Sequence, residues 1–247
     1  MKKYNVGIIG ATGMVGQRFM LLLQNHPRFN VTVLAASASS AGKKYRDAVR
    51  KWHMSEPIPE KFADTVVMDA TADMIKIAGA VDFCFCAVNM NKEEIKRLEY
   101  AYAKLECPIV SNNSAHRGTD DVPMVIPEIN PEHLDVIPSQ RARLGVKRGF
   151  IAVKSNCSLQ SYVPLLHPLK KFGIKKVAVT TYQAISGAGK TFDTMPEIVD
   201  NVIPYIGGEE QKSEIEPLKI WGEVKDGKII PASSPAITAQ CLRVPVS

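Results

Sequence analysis

The opening residues constrain the fold most. An apolar run at residues 5–9 enters a turn with glycines at 10, 13 and 16, and the chain leaves it as an amphipathic stretch over 14–23. Strand, glycine turn and helix in that order begin a βαβ unit whose backbone must turn tightly and let something approach it closely. The alternation continues, with apolar strands predicted at 31–36 and 81–88, a helix at 92–105 and a short buried strand at 108–111. It predicts an α/β fold built on an N-terminal, Rossmann-type, doubly wound parallel sheet.

Prolines at 123, 127, 131 and 138 loosen the pattern between residues 112 and 149 and suggest a passage between domains. The boundary is placed near 150, giving a nucleotide-binding domain over 1–150 and a second α+β domain over 151–247. In the second, residues 175–184, 229–231 and 237–246 read as strands, and 192–203 and 208–221 as helices. At 247 residues and 45% hydrophobic composition, two units with substantial cores are affordable.

The net charge of +6 is scattered, and the basic clusters at 141–148 and 170–176 have no interleaved aromatic ladder, so attraction of small anions is favoured over nucleic acid. The N-terminal apolar stretch is too short for a signal segment or membrane span, which predicts a soluble, cytoplasmic protein. The cysteines at 84, 86, 107, 157 and 241 show neither a CxxC pair nor a Cys/His cluster, so no metal site and no disulfide framework are expected. Cys84 and Cys86 alternate with Phe83 and Phe85 and read as packing residues.

The loop Gly10-Ala11-Thr12-Gly13-Met14-Val15-Gly16 suits a dinucleotide pyrophosphate, with Gly10, Thr12, Gly13, Met14 and Val15 as cofactor-binding candidates. A plain glycine turn is the alternative. An NAD binder commonly places an acid after the second strand; here the strand runs into Ser37-Ala38-Ser39-Ser40, with Lys43 and Lys44 close behind. Hydroxyls at Ser37, Ser39 and Ser40 and nearby ammonium groups suit a 2′-phosphate, which predicts NADP. A second glycine loop ends in Gly189-Lys190-Thr191 like a nucleotide triphosphatase loop, but Ala184 stands where that pattern needs glycine. Its Ser186 and Gly187 instead offer backbone to a nicotinamide ring.

Cys157, in Ser155-Asn156-Cys157-Ser158, sits where a helix should begin at Leu159. Unpaired N–H groups at a helix N-terminus stabilise a thiolate, which makes Cys157 a candidate nucleophile, an inert buried thiol being the alternative.

The loop GATGMVG, the later SNCS, Gln183 in Thr180-Thr181-Tyr182-Gln183-Ala184, Ser186-Gly187-Ala188-Gly189 and Arg243-Val244-Pro245-Val246 occur in one order along the chain. Together they resemble the aspartate-semialdehyde dehydrogenase family, over essentially the whole sequence and closer to its archaeal and fungal style. The resemblance implies an NADP-dependent aldehyde oxidoreductase that converts 4-aspartyl phosphate to L-aspartate-4-semialdehyde through a Cys157 thioester. It would serve lysine, threonine and methionine biosynthesis as a homodimer or homotetramer. Gln183 would orient the substrate and Arg243 clamp its α-carboxylate. Glu209 would meet the amino group, with Glu210 as the alternative register, and Lys212, Arg117 and Asn156 would hold phosphate. Read without the family, Arg117, Glu209 and Lys212 could equally be surface charges.

The same family places its acid–base histidine in a Gly-His pair shortly after Arg-Val-Pro-Val. None of His26, His53, His116, His133 and His167 stands in that motif, so the resemblance implies further chain beyond Ser247 and an incomplete second domain. N-acetyl-glutamyl-phosphate reductase shares the plan but surrounds its cysteine with Asn-Pro-Gly-Cys. Malonyl- or succinyl-CoA reductase would discard the amine-binding acid and the phosphate site. A nucleotide-binding module without catalysis is the reading from another class.

Overall fold

The computed structural model describes residues 2–246 and divides into two compact units. The first runs to Pro123 and takes in Val136–Lys154; the second comprises Met124–Asp135 and the chain from Ser155 on. The passage at Lys154/Ser155 lies beyond the expected boundary near 150, because the strand just after Gly149 pairs inside the first sheet. A twelve-residue proline-bearing segment contributes to the second unit, which local sequence gave no reason to expect.

In chain order the first unit contains β1 (Tyr4–Ile9), α1 (Met14–Leu23), β2 (Phe29–Ala36), single helical turns α2 (Tyr45–Ala48) and α3 (Glu60–Ala63), β3 (Met68–Asp69), α4 (Met74–Ala80), β4 (Phe83–Cys86), α5 (Lys92–Lys104), β5 (Ile109–Ser111), α6 (Ile137–Leu144) and β6 (Ile151–Val153). The six strands form one sheet in the order β3-β2-β1-β4-β5-β6, every pairing parallel. Parallel strands are covered on both faces in such sheets, and accordingly Val6, Ile8, Ile9, Leu34 and Ile109 are buried. The strand order reverses direction between β1 and β4, so the crevice beyond their C-terminal ends is where this architecture takes ligands. α5 begins with a capping box in which Asn91 and Glu94 exchange side-chain-to-backbone hydrogen bonds.

The second unit contains α7 (Leu159–Leu166), β7 (Lys176–Ala184), α8 (Glu209–Ile220), the hairpin β8 (Glu223–Lys225) and β9 (Lys228–Ile230), and β10 (Ala236–Val244). β7 and β10 pair in parallel along their whole length, from Ala236 opposite Lys176 to Val244 opposite Ala184, and α8 packs on β10. β7 is less buried than its apolar composition predicts, alternating exposed and half-buried residues. The helix expected at 192–203 is instead two 3₁₀ turns, Phe192–Thr194 and Pro196–Ile198. Pro196 explains the break: it lacks the N–H that a continuing helix needs, and its ring disfavours helical backbone before it. Among the described residues no helix is long and apolar enough to cross a membrane.

Candidate active site

In the first unit, functional geometry begins with the backbone of the β1–α1 loop. Gly10 has φ +89°, and a Cβ there would lie 2.3 Å from the Ala87 carbonyl oxygen. A Cβ on Gly16 would lie 2.2 Å from the Gly10 carbonyl oxygen. Only glycine lets the loop turn beside β4 and α1 seat against the turn. α1 starts at Met14 without a side-chain cap on Gly13, leaving its first N–H groups for an incoming anion.

These residues border a cavity of about 410 Å³, whose lining includes Gly10, Thr12, Gly13, Ser37, Asp69 and Asn89. Of the expected cofactor contacts, Gly10, Thr12, Gly13 and Ser37 line it, while Met14, Val15, Ser39 and Ser40 are not in its wall. Ser39 acts one step back: its hydroxyl lies 3.0 Å from that of Ser37, and its carbonyl accepts a 2.8 Å hydrogen bond from the Lys43 ammonium. Ser40 is buried and its N–H closes the turn onto the Ser37 carbonyl. The uncapped α1 N-terminus and the glycine clearance beside this cavity fit the phosphates of a nucleotide.

Sequence reasoning missed an acid here. Asp69, at the end of β3, lines the same cavity, but its carboxylate accepts the Thr71 and Ala72 N–H groups at 2.7 and 2.8 Å and so closes its own turn. Two buried latches were also missed. Gln17 donates to the carbonyls of Thr12 (3.0 Å) and Lys51 (2.8 Å) and accepts the His53 N–H at 2.8 Å; the Tyr45 hydroxyl donates to the Ala11 carbonyl at 2.9 Å. Each joins the glycine loop to residues more than thirty positions away.

Arg117 follows β5 on a loop of the first unit, half-buried, with a 3.4 Å hydrogen bond to the Asn112 carbonyl. Beneath this loop Glu99 is buried and accepts hydrogen bonds from the Ser111 hydroxyl (2.5 Å) and the Asn113 amide (2.9 Å). Burial pushes the Glu99 carboxyl above its usual value and pulls the neighbouring His116 down to about 4, so His116 is a neutral core group.

In the second unit Cys157 is exposed, on the turn before α7, while Cys84, Cys86, Cys107 and Cys241 are buried. Asn156 braces that turn: its side-chain oxygen accepts the Ser158 N–H and hydroxyl, each at 3.0 Å. Its side-chain amide donates to Glu209 at 2.8 Å, and the Lys212 ammonium donates to the other Glu209 oxygen at 2.5 Å. Burial by itself would raise the Glu209 carboxyl; the hydrogen bond and charge of Lys212, with the amides of Asn156 and Gln183, outweigh it and hold the group below its ordinary value. Glu210 points elsewhere, accepting the Cys241 N–H on β10 at 3.3 Å.

Gln183 and Arg243 are paired across β7 and β10 and so share a face of the ribbon. Arg243 is only 7% exposed; it donates to the Ala184 carbonyl at 2.7 Å, and among the described residues no carboxylate forms an ion pair with it. A buried guanidinium with one carbonyl partner is suited to receive an anion. Gly187, on a 3₁₀ turn after β7, gives it room, since a Cβ there would lie 3.4 Å from the Arg243 Nη1. The Gly-Lys-Thr motif runs into 3₁₀ turns rather than the helix a triphosphate loop requires.

A parallel sheet with a glycine-shaped crevice at its switch point defines the first unit as nucleotide-binding, and the second unit presents an exposed thiol beside paired charges. Residues 5–137 match the semialdehyde dehydrogenase NAD-binding domain and residues 166–247 the semialdehyde dehydrogenase dimerisation domain. The aspartate-semialdehyde dehydrogenase of Methanothermobacter thermautotrophicus is 43% identical over 243 residues, covering 98% of this chain and 67% of that protein. That of Aspergillus fumigatus is 41% identical over 249 residues, covering 99% and 67%. The crystal structure of the Candida albicans enzyme with NADP superposes with a TM-score of 0.85 at 40% identity, covering 99% of this chain and 68% of that one. The chain belongs to the aspartate-semialdehyde dehydrogenase family and spans about two thirds of the length of these relatives.

Proposed function

We propose that the protein is an NADP-dependent aspartate-semialdehyde dehydrogenase that forms L-aspartate-4-semialdehyde from 4-aspartyl phosphate through a thioester on Cys157. The observation that carries this reading is the exposed thiol on a turn braced by Asn156, whose amide is bonded to Glu209 and through it to Lys212. The Cys157 sulfur attacks the acyl carbon, the C–O bond to phosphate breaks, and phosphate leaves with the bonding pair. Arg243 receives the α-carboxylate as a planar, two-pronged donor. Glu209, ionised within its hydrogen-bonded setting, attracts the α-ammonium group, and Gln183 orients the acyl group beside the thiol. Lys212 and Asn156 supply positive charge and a donor for phosphate. With NADPH bound as the hydride source, the thioester would be reduced to the aldehyde, the C–S bond breaking to return the Cys157 thiolate.

The Ser37–Ser39 hydroxyl pair with Lys43 beside it, together with an Asp69 carboxylate engaged by its own turn, supports NADP over NAD. Thr12 and Gly13, with the main-chain N–H groups of Met14 and Val15 that open α1, are assigned to the pyrophosphate. The match to a dimerisation domain supports an oligomer, which we assign as a homodimer or a dimer of dimers in the cytoplasm, serving lysine, threonine and methionine synthesis.

The deciding experiment follows NADPH formation from L-aspartate-4-semialdehyde and phosphate, with Cys157→Ala alongside. Phosphate-dependent turnover in the wild type, abolished in the variant with NADP binding intact, is the expected result. Retained turnover in Cys157→Ala, or turnover only with CoA in place of phosphate, overturns the assignment.

A further inference from the structure

α8 carries more of the site than its two substrate and phosphate residues. Glu209, Lys212, Ser213 and Glu216 recur at the spacing that lines up side chains on one helical face. Three contacts run from this face to α7 and the turn before it. The first arises because α8 contains Pro217, which has no N–H to give the Ser213 carbonyl one turn back. The Tyr162 hydroxyl of α7 takes that place, donating to the Ser213 carbonyl at 3.0 Å. The second is the Glu209 bond to the Asn156 side chain.

The third has no place yet in the chemistry. Glu216 is 7% exposed, and its carboxylate accepts the main-chain N–H of Asn156 at 2.7 Å. A carboxylate taken out of water is expensive, and a charge-assisted bond to a backbone amide is among the stronger ways to hold a peptide plane. Asn156 is thereby gripped by one helix at both its main chain and its side chain, while its own oxygen grips Ser158. Cys157 lies between these two pinned residues.

We propose that Glu216 is a positioning residue for the covalent step: by fixing the Asn156 peptide it sets the direction in which the Cys157 thiol is presented. The proposal rests on the reading of Cys157 as nucleophile. It makes α8 a ruler, reading the substrate at Glu209 and Lys212 and aiming the attacking sulfur from Glu216, one turn beyond Lys212 on the same face.

The test compares Glu216→Ala and Glu216→Gln in the whole protein, with Ile220→Val as a control that loosens α8 without touching the turn. The readouts are kcat, KM for aspartate semialdehyde, NADP binding, thermal midpoint, and the rate of iodoacetamide alkylation of Cys157, the exposed thiol among four buried ones. Glu216→Ala should lower kcat on the order of ten- to a hundredfold, as a misplaced nucleophile does, with KM and NADP binding little changed. Glu216→Gln can still accept the N–H but without charge, so its kcat should fall roughly two- to fivefold. Alkylation should slow in the same order.

The proposal is overturned if kcat and alkylation in the Glu216 variants fall no further than in Ile220→Val at a comparable loss of thermal midpoint, or if KM alone moves. Should Glu216→Ala fail to fold, Glu216→Gln decides. If the wild type does not turn over aspartate semialdehyde, the assigned reaction fails, while the alkylation rates still judge Glu216 independently.

Discussion

In the first unit the groups proposed for ligand are mostly main chain, and their placement depends on the absence of side chains at Gly10 and Gly16. In the second unit the proposed working groups are side chains from a turn, a helix and two strands: Asn156, Glu209, Lys212, Gln183 and Arg243. A backbone site is specified over a few consecutive residues, and so it leaves a motif. A side-chain site is specified by convergence, and its members carry no local mark apart from residue type.

This contrast predicts unlike failures. Arg243→Leu should have the largest effect, because two charge-assisted bonds to the substrate carboxylate disappear together. At about 1.5–3 kcal/mol each, kcat/KM should drop roughly a hundred- to ten-thousand-fold with the fold preserved. Steady-state kinetics alongside far-ultraviolet circular dichroism check it, and a variant with near-normal kcat/KM would remove Arg243 from the site.

Gly10→Ala should fail the other way, through structure. The added methyl meets the Ala87 carbonyl at 2.3 Å, and the φ of +89° strains any L side chain. A loss of about 2–4 kcal/mol is expected from strain and overlap, with NADP affinity lost beyond what stability explains. Calorimetry and cofactor titration separate the two, and unaltered binding would mean that the loop does not need its clearance.

The same contrast explains what could be read in advance. β1, the glycine turn and α1 are local, and α1 begins and ends at the residues its apolar pattern marks, Met14 and Leu23. Cys157 was visible through residue type and position, and Arg243 through the family motif it opens. What Glu209 and Glu210 each bond was not, since adjacent helical residues differ only in what packs across from them; Glu210 reaches β10, and Glu209 reaches Asn156. The latches Gln17 and Tyr45 and the engagement of Asp69 were equally hidden, because each depends on a partner's backbone rather than on its own neighbours. β6 escaped its domain because three apolar residues pair with β5 whichever side of a proline-rich segment they follow. The helix misread at 192–203 had a visible signal in Pro196.

Tyr45→Phe tests whether the backbone site leans on side chains after all. It removes one hydroxyl from the buried Ala11 carbonyl and leaves the ring in place. The expected cost is about 1 kcal/mol of stability and a severalfold weakening of NADP binding, measured by thermal unfolding with and without cofactor. Stability lost without any change in affinity would confine Tyr45 to the core.

The effect sharpest in its pH dependence belongs to Lys212→Met. Burial pushes the Glu209 carboxyl up, and Lys212 is the strongest of the groups that bring it below its ordinary value. A carboxylate depressed in the folded state contributes stability that is fully present above its unfolded value and is lost as pH falls through the folded one. Removing Lys212 leaves burial opposed only by the amides of Asn156 and Gln183, so the folded value must rise. Because Lys212 is also a proposed phosphate donor, the variant should lose roughly ten- to a hundredfold in kcat/KM at neutral pH. Its acid limb should move to higher pH, so the deficit widens as pH approaches the ordinary glutamate range from above. Profiles of kcat/KM and of unfolding free energy against pH, in parallel for both proteins, read the shift twice. An acid limb that stays put would show that Glu209 is not the group whose ionisation the reaction senses, and would move the amine-binding role away from this face of α8.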